Sequence, residues 1–368
     1  MLPLKRPDIM LRALLLSLLV LAPIAQAQHR DKDNDTPVHP PGYAPAPPVV
    51  YPGGVQSFRD VIFAEPQGYR PLTLDLYLPP DGGPPKAVVV FIHGGAWRSR
   101  TARDGGAFRD FPSVLASVAA HHYVVASVNY RFSGEARFPA AVQDVALAIR
   151  WLRTNSARYG IDTNRFVAWG SSAGGQIAAL LGTACGEPAL QPPAPAASGS
   201  PASPGSPARP GSSASPGAVA LPSTCVQGVI DWYGAVDLES DGKDLGKPDV
   251  PDYVKAYLGC ELPQCPAGWA RSASPFPYID AKDPPFLIQH GAADVTVSPN
   301  QSKRLYEALH AAGVPAELVI YPGVAHGFSK VPGGGPDDAI NKQAMDKVFE
   351  YLARYFPPDG SRTLRRRM

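Results

Sequence analysis

The sequence predicts an α/β protein with a mostly parallel central sheet flanked by helices on both faces. Three observations carry this. Apolar runs of strand length recur along the chain, and segments with a 3.6-residue apolar period lie between them. Of the 368 residues, 45% are hydrophobic, enough for a sizeable core. That composition excludes a disordered chain, and the length suits one large α/β domain or two small ones.

The domain is placed at residues 51–358, and its elements follow in order. "SFRDVIFAE" and "LTLDLYLP" alternate apolar and polar residues around a Gly/Pro turn, the pattern of two antiparallel strands. "AVVVFIHGG" is a near-continuous apolar run ending in glycine, as expected of a central strand covered on both faces. "YVVASVNY" and "RFVAWG" are of the same kind. "PAAVQDVALAIRWLRTNSARYG" is a helix with apolar residues at 142, 145, 146, 149 and 152, Pro139 near its start and Gly160 past its end. "AGGQIAALLGT" is a short apolar helix. "SPNQSKRLYEALHAAG" opens on a Ser298 cap with Pro299 in the first helical position and stops at Gly313.

Residues 187–222 are almost entirely Pro, Ala, Ser and Gly and interrupt the alternation. They read as a flexible insertion within one domain, because strands resume at "VQGVIDWYG". Four cysteines stand at 185, 225, 260 and 265. Their spacing favours Cys185–Cys225 and Cys260–Cys265 among three possible pairings, and the first pair would staple the base of the insertion. No CxxC pair or histidine cluster accompanies them, which argues against zinc.

The first 27 residues read as an export signal. Lys5, Arg6 and Arg12 precede the run "ALLLSLLVLAPIA", and "AQA" gives a small-x-small cleavage site before Gln28, with Met10 as an alternative start. The run is short for a spanning helix, so no membrane partner is expected after cleavage. Residues 28–50 are polar and then Pro-rich, and are expected to be disordered. The formal charge of +2 falls to about zero without residues 1–27, which leaves no electrostatic case for a nucleic-acid partner. The "RRR" at 365–367, in the tail 359–368, reads as solvated.

"AWGSSAGGQ" places two serines between glycines. A sharp strand-to-helix turn that presents a nucleophile needs small residues two before and two after it, because the backbones nearly touch there. Around Ser172 these positions are Gly170 and Gly174. Around Ser171 they are Trp169 and Ala173, and tryptophan does not fit. Ser172 is therefore the expected nucleophile. Its base and orienting acid follow in the order Ser, acid, His. Asp294 and His326 each lie in a loop after an apolar strand, where an α/β sheet presents its chemistry. His121 and His122 precede a strand, His310 lies inside a helix, and Asp283 sits at the wrong strand end. Asp144 and Asp162 suit a helix face and a turn, and His290 suits a local structural bond. "FIHGGAW" supplies the backbone N–H groups for an oxyanion: Gly95 and Ala96, with Gly94 in the turn and Ala173 after the nucleophile. His93 is expected to hold that loop.

"HGGAW", "FPAAVQDVALAIRWL", "YGIDTNRFVAWGSSAGGQ", "HGAADVTVSP" and "GVAHGF" together resemble the α/β-hydrolase superfamily. More narrowly, the chain is similar to the bacterial esterase/lipase group related to hormone-sensitive lipase, which includes acetyl-xylan and feruloyl esterase-like members. The resemblance covers about residues 57–357, apart from the insertion. It implies the α/β-hydrolase fold and a carboxylic ester hydrolase that needs no cofactor, acting on a small-molecule or polymer-linked ester. Ala96 stands where that group usually has a third glycine. Trp97, Tyr130, Phe132, Trp232 and Tyr233 follow catalytic strands, either as pocket walls for a sugar or phenolic ring or as packing for the sheet. A serine peptidase of the prolyl-oligopeptidase type shares the triad, but the chain has no room for a propeller domain. A non-catalytic binding module is disfavoured because no triad member is missing. Oligomeric state is not fixed by the sequence.

Overall fold

Nine strands form one sheet in the computed structural model, which describes residues 47–80, 82–193, 221–331 and 334–358. The strands are β1 (Val49–Val50), β2 (Gln56–Ala64), β3 (Leu72–Leu78), β4 (Lys86–Ile92), β5 (Val124–Val128), β6 (Ile161–Ser171), β7 (Gly228–Trp232), β8 (Phe286–Gly291) and β9 (Ala316–Tyr321). They lie in the order β1-β2-β3-β5-β4-β6-β7-β8-β9. The β1–β2, β2–β3 and β3–β5 pairs are antiparallel, and from β5 to β9 every pair is parallel.

The helices are α1 (Phe111–Ala120), α2 (Ala140–Thr154), α3 (Ser156–Tyr159), α4 (Ala173–Thr183), α5 (Asp241–Asp244), α6 (Asp252–Leu258), α7 (Trp269–Ser272), α8 (Pro299–Ala311) and α9 (Asp338–Tyr355). Alternate residues of β4 explain the layering. Val88, Val90 and Ile92 join a core built with α2, α4 and α8. Ala87, Val89 and Phe91 join a second core built with α1 and α9. Because both faces are covered, every residue of β4 is buried, which is why positions 87–92 read as an apolar run.

Local rules hold where the sequence shows them. Ser298 caps α8 by accepting a hydrogen bond from the Asn300 N–H, and Pro299 takes the first helical position. The helix expected to run to Gly160 breaks at Asn155. It continues as the single turn α3, which Gly160 closes in the left-handed region at φ 62°. Asp144 faces inward from α2, where it holds Arg131 through both carboxylate oxygens, at 2.6 and 2.8 Å.

Two expected boundaries shift. The segment 28–50 includes Val49–Val50, which pairs with β2 as a short edge strand. The insertion expected over 187–222 begins with an anchored stretch: Pro188–Leu190 forms a 3-10 turn, and Leu190 is buried. Residues 194–220 of the insertion, the export signal and the basic tail lie outside the described residues. Both favoured cysteine pairs are joined, Cys185–Cys225 with Cα atoms 5.1 Å apart and Cys260–Cys265 with Cα atoms 5.3 Å apart. No helix among the described residues is long and apolar enough to cross a membrane.

Candidate active site

The turn after β6 separates the two serines. Ser171 is the last strand residue and is buried. Ser172 holds φ 54° and ψ −119°, a sparsely populated conformation for a residue with a side chain, and α4 begins at the next residue. A Cβ on Gly170 would meet the Gly174 carbonyl oxygen at 2.0 Å, so the helix crowds the strand as expected. A Cβ on Gly174 would meet the Ile92 carbonyl oxygen at 2.0 Å, so the second restriction comes from the end of β4. Trp169 is fully buried against Phe91, Phe111 and Trp232.

The loops after β8 and β9 bring the partners. Gly291 lets them approach, since a Cβ there would lie 2.3 Å from the Val324 carbonyl oxygen. The Ala292 N–H donates to the Tyr321 carbonyl and the Ala293 N–H to the Val324 carbonyl, which ties the two loops together. His326 Nε2 then lies 3.1 Å from Ser172 Oγ, and His326 Nδ1 lies 2.6 Å from Asp294 Oδ2. Asp294 Oδ1 accepts the backbone N–H groups of Thr296 and Val297 at 2.8 and 3.0 Å. Asp294 is buried, whereas the His326 side chain keeps 25% of its exposure. Burial pushes the Asp294 carboxyl up, but the bonds from His290 and His326 outweigh it and hold the group well below its ordinary range.

Gly94 lies directly against the turn: a Cβ there would be 2.9 Å from the Ser171 carbonyl oxygen and 3.2 Å from Ser172 Cβ. Gly95, Ala96 and Trp97 follow with φ of 103°, 55° and 56°, three successive left-handed residues of which two carry side chains. Such a run is kept only where its surroundings enforce it. His93 provides part of that enforcement. Its Nδ1–H donates to the Gly94 carbonyl at 2.7 Å, its ring stacks on Tyr130 at 4.4 Å, and the Tyr130 hydroxyl donates to the His93 carbonyl at 3.0 Å. Burial pushes the His93 imidazole down to about 4, with the Gly94 carbonyl opposing it, so the ring is neutral near pH 7. Ala173 stands at the N-terminus of α4, next to Ser172.

The aromatic wall is corrected. Trp97, Tyr130, Trp232 and Tyr233 are all at most 1% exposed. Trp97 stacks on Tyr257, and its indole N–H donates to Gln176 Oε1 at 3.0 Å. Trp232 sits among Trp169, Phe108 and Phe328. Tyr233 packs edge-on behind His326, with ring centroids 4.9 Å apart. These rings brace the loops and do not wall an opening; Phe132 is only partly buried.

Three residues matter beyond those expected from sequence. Gln176, one helical turn after Ser172, joins the Trp97 indole to the Ala273 carbonyl, which its amide reaches at 2.6 Å. His290, expected to bond locally, reaches the acid itself, with Nε2 3.1 Å from Asp294 Oδ2. Asp231, near the end of β7, is fully buried. Its Oδ1 accepts the Gly234 N–H, and its Oδ2 has no hydrogen-bond partner among the described residues. Burial pushes its carboxyl up to about 7, against the opposing pull of His290 and the Gly234 N–H.

An acid with a raised folded pKa holds its proton more tightly folded than unfolded. Its contribution therefore favours folding at low pH and is lost as pH rises from the ordinary 3.8 to about 7. Asp231→Asn should accordingly gain stability relative to the wild type across that window, measured by denaturant unfolding at several pH values. Parallel curves for the two proteins would contradict this reading of Asp231.

A cleft of about 970 Å³ is lined by Arg98, which follows Trp97 in sequence, and by Tyr69, Glu135, Arg137, Lys255 and Glu261 among others. Among the described residues, no three His, Cys, Asp or Glu side chains are grouped to hold a metal ion.

The chain is similar to known esterases in sequence and in fold. Esterase LipC of Mycobacterium tuberculosis is 29% identical over 280 residues, which are 74% of this chain and 60% of that protein. The chain spans between about 35 and 65% of the length of curated relatives it matches. A thermophilic esterase of Thermogutta terrifontis shares the fold with a TM-score of 0.61 and 24% identity, over 84% of this chain and 95% of that one. A truncated carbohydrate esterase from gut microbiota gives a TM-score of 0.59 and 27% identity, over 80% and 95%. The BD-FAE family model matches residues 74–309, a span that includes Ser172 and Asp294 and stops short of His326. With that match over well more than half its length, on a mostly parallel sheet flanked by helices, the chain belongs to the BD-FAE family.

Proposed function

We propose that the protein is an exported serine carboxylesterase that cleaves short acyl esters, acetyl above all, of a hydroxylated alcohol such as a plant polymer. The observation that carries the reading is the relay Ser172–His326–Asp294, bonded at 3.1 and 2.6 Å, on a strained turn at the carboxyl end of a parallel sheet.

The chemistry follows from that relay. His326 Nε2 accepts the Ser172 hydroxyl proton as Oγ attacks the ester carbonyl carbon. Asp294 accepts the His326 Nδ1–H, fixes the tautomer and stabilises the imidazolium. The N–H groups of Gly95, Ala96 and Ala173 receive the charge that develops on the carbonyl oxygen, with Gly94 holding the turn. His326 returns its proton to the leaving alcohol. Water then repeats the cycle on the acyl-enzyme and releases the acid.

Burial of Trp97, Tyr130, Trp232 and Tyr233 removes the support for a feruloyl ring in an aromatic slot. Ala96 carries a methyl where the similar esterase group usually has glycine, which favours a small acyl group. The cleft that begins at Arg98, four residues beyond Gly94, is lined by charged groups and suits a hydroxylated alcohol better than an alkyl chain. A carbohydrate esterase among the similar structures is consistent with that choice. Export is supported by the leader at 1–27 and by two disulfides, which persist in oxidising compartments.

The test is a panel of p-nitrophenyl acetate, butyrate and octanoate, methyl ferulate and a peptide amide, on protein recovered from the exported fraction of its host. We expect acetate to turn over fastest and the recovered chain to begin at Gln28. A preference for octanoate or ferulate would overturn the acyl assignment, and faster amide than ester cleavage would make the protein a peptidase.

A further inference from the structure

We propose that His290 is a positioning residue of the relay: its Nε2–H holds the carboxylate of Asp294 in place for His326. The inference rests on the reading of Ser172, His326 and Asp294 as the catalytic relay, and it goes beyond the three residues of that relay.

The geometry fixes where the proton must be. His290 Nε2 lies 3.1 Å from Asp294 Oδ2 and 3.0 Å from the Val297 carbonyl oxygen. Both neighbours only accept when the carboxyl is ionised, so Nε2 must carry hydrogen and donate. The other ring nitrogen, Nδ1, lies 2.7 Å from the Ser302 hydroxyl on α8. His290 and Ser302 are both fully buried, and so is the Asp294 side chain. The imidazole is thus clamped between α8 and the loop that carries the acid.

One oxygen, Asp294 Oδ2, therefore receives two imidazole N–H groups, from His326 at 2.6 Å and from His290 at 3.1 Å. The two backbone N–H groups on Oδ1 make four donors to one carboxylate, which saturates it and leaves it a single orientation. Sharing has an electrostatic consequence as well. A donor on Oδ2 draws off part of the negative charge that would otherwise stabilise the His326 imidazolium. Removing it leaves the carboxylate less tightly held and more strongly attractive to a proton on His326, whether His290 itself is neutral or charged.

The groups facing His290 are few. Asp294 and, through it, His326 lie on one side. Asp231 at the end of β7 lies within electrostatic range, and the Tyr233 ring centroid is 6.3 Å away. Asp231 is the buried neighbour whose own charge would act on the relay, so it needs a separate control.

The experiment compares His290→Leu, His290→Gln and Ser302→Ala with wild type and Asp231→Asn, using pH profiles of kcat and KM for p-nitrophenyl acetate. In folded His290→Leu we expect kcat to fall by roughly tenfold with KM little changed, and the acid limb to move up by about half a pH unit or more. His290→Gln, whose amide can still donate to Oδ2, should restore most of both. Ser302→Ala should move the limb in the same direction by less, and it decides the matter if His290→Leu does not fold. An unmoved limb in the folded variants, or a Gln variant no better than Leu, would reduce His290 to packing and overturn the proposal, as would a limb shift reproduced by Asp231→Asn. A second readout does not depend on turnover. In Ser172→Ala, histidine ¹⁵N–¹H NMR should show a slowly exchanging Nε2–H on His290, and its absence also overturns the proposal. A wild-type protein without Ser172-dependent turnover would instead defeat the esterase reading and leave this NMR result to be judged by itself.

Discussion

Ser172→Ala lowers kcat/KM for p-nitrophenyl acetate on the order of 10⁵-fold, to near background, whereas Ser171→Ala leaves it within about tenfold of wild type. The difference follows from backbone geometry. Ser172 alone holds the strained turn at φ 54° and ψ −119° with its Oγ 3.1 Å from His326 Nε2. Ser171 still belongs to β6 and is buried under the oxyanion loop, where the Gly94 backbone passes its carbonyl. Losing Oγ at Ser172 removes the nucleophile, and the oxyanion donors alone give only the residual rate that binding supplies. Losing Oγ at Ser171 alters packing beneath Gly94 and nothing in the relay. Thermal unfolding of both variants should stay close to wild type, which separates a lost reaction from a lost fold.

Asp294→Asn carries the second-largest effect, a fall in kcat on the order of 10⁴-fold with KM little changed. The carboxylate accepts four hydrogen bonds, from the two imidazoles and from the N–H groups of Thr296 and Val297. An amide offers only one oxygen. If that oxygen keeps the two backbone donors, the amide NH₂ faces His326 Nδ1 and forces the wrong tautomer, so Nε2 carries hydrogen and cannot take the proton from Ser172. Steady-state kinetics and histidine ¹⁵N NMR on the same sample check both halves of this prediction. A tenfold or smaller loss would mean that another carboxylate orients His326. Asp231, buried nearby with one oxygen unpartnered, would be the first to examine.

Much of this site is legible in the sequence because it is written in local rules. Gly170 and Gly174 single out Ser172 through contacts the structure places at 2.0 Å. Asp294 and His326 follow from chain order and from their loops after β8 and β9. The Ser298 cap and the Cys260–Cys265 pair, five residues apart, are likewise short-range features, and Cys185–Cys225 is marked by the insertion it flanks. What was not legible depends on neighbours far along the chain. An aromatic residue at a strand end looks the same whether it faces an opening or a core. Trp232 is core because Phe108 and Phe328, 124 residues before and 96 after in the reading Phe108…Trp232…Phe328, close over it. His290 looked local because its four-residue spacing from Asp294 gives no hint of the α8 hydroxyl that orients its ring. The strand β1 was hidden by Pro47, Pro48 and Pro52 around it, residues that a sheet tolerates only at its edge. The short helices α5 to α7 are too brief to show a period.

The central claim is that Ser172, activated by His326, is the nucleophile. Mass spectrometry after reaction with diethyl p-nitrophenyl phosphate, which phosphorylates an activated serine and releases p-nitrophenol, tests it most directly. The account predicts one diethylphosphoryl group per chain, mapped to Ser172, its appearance matching loss of ester turnover, and none on Ser172→Ala. An adduct on Ser171, or an unmodified wild-type chain that still hydrolyses the ester, would contradict it.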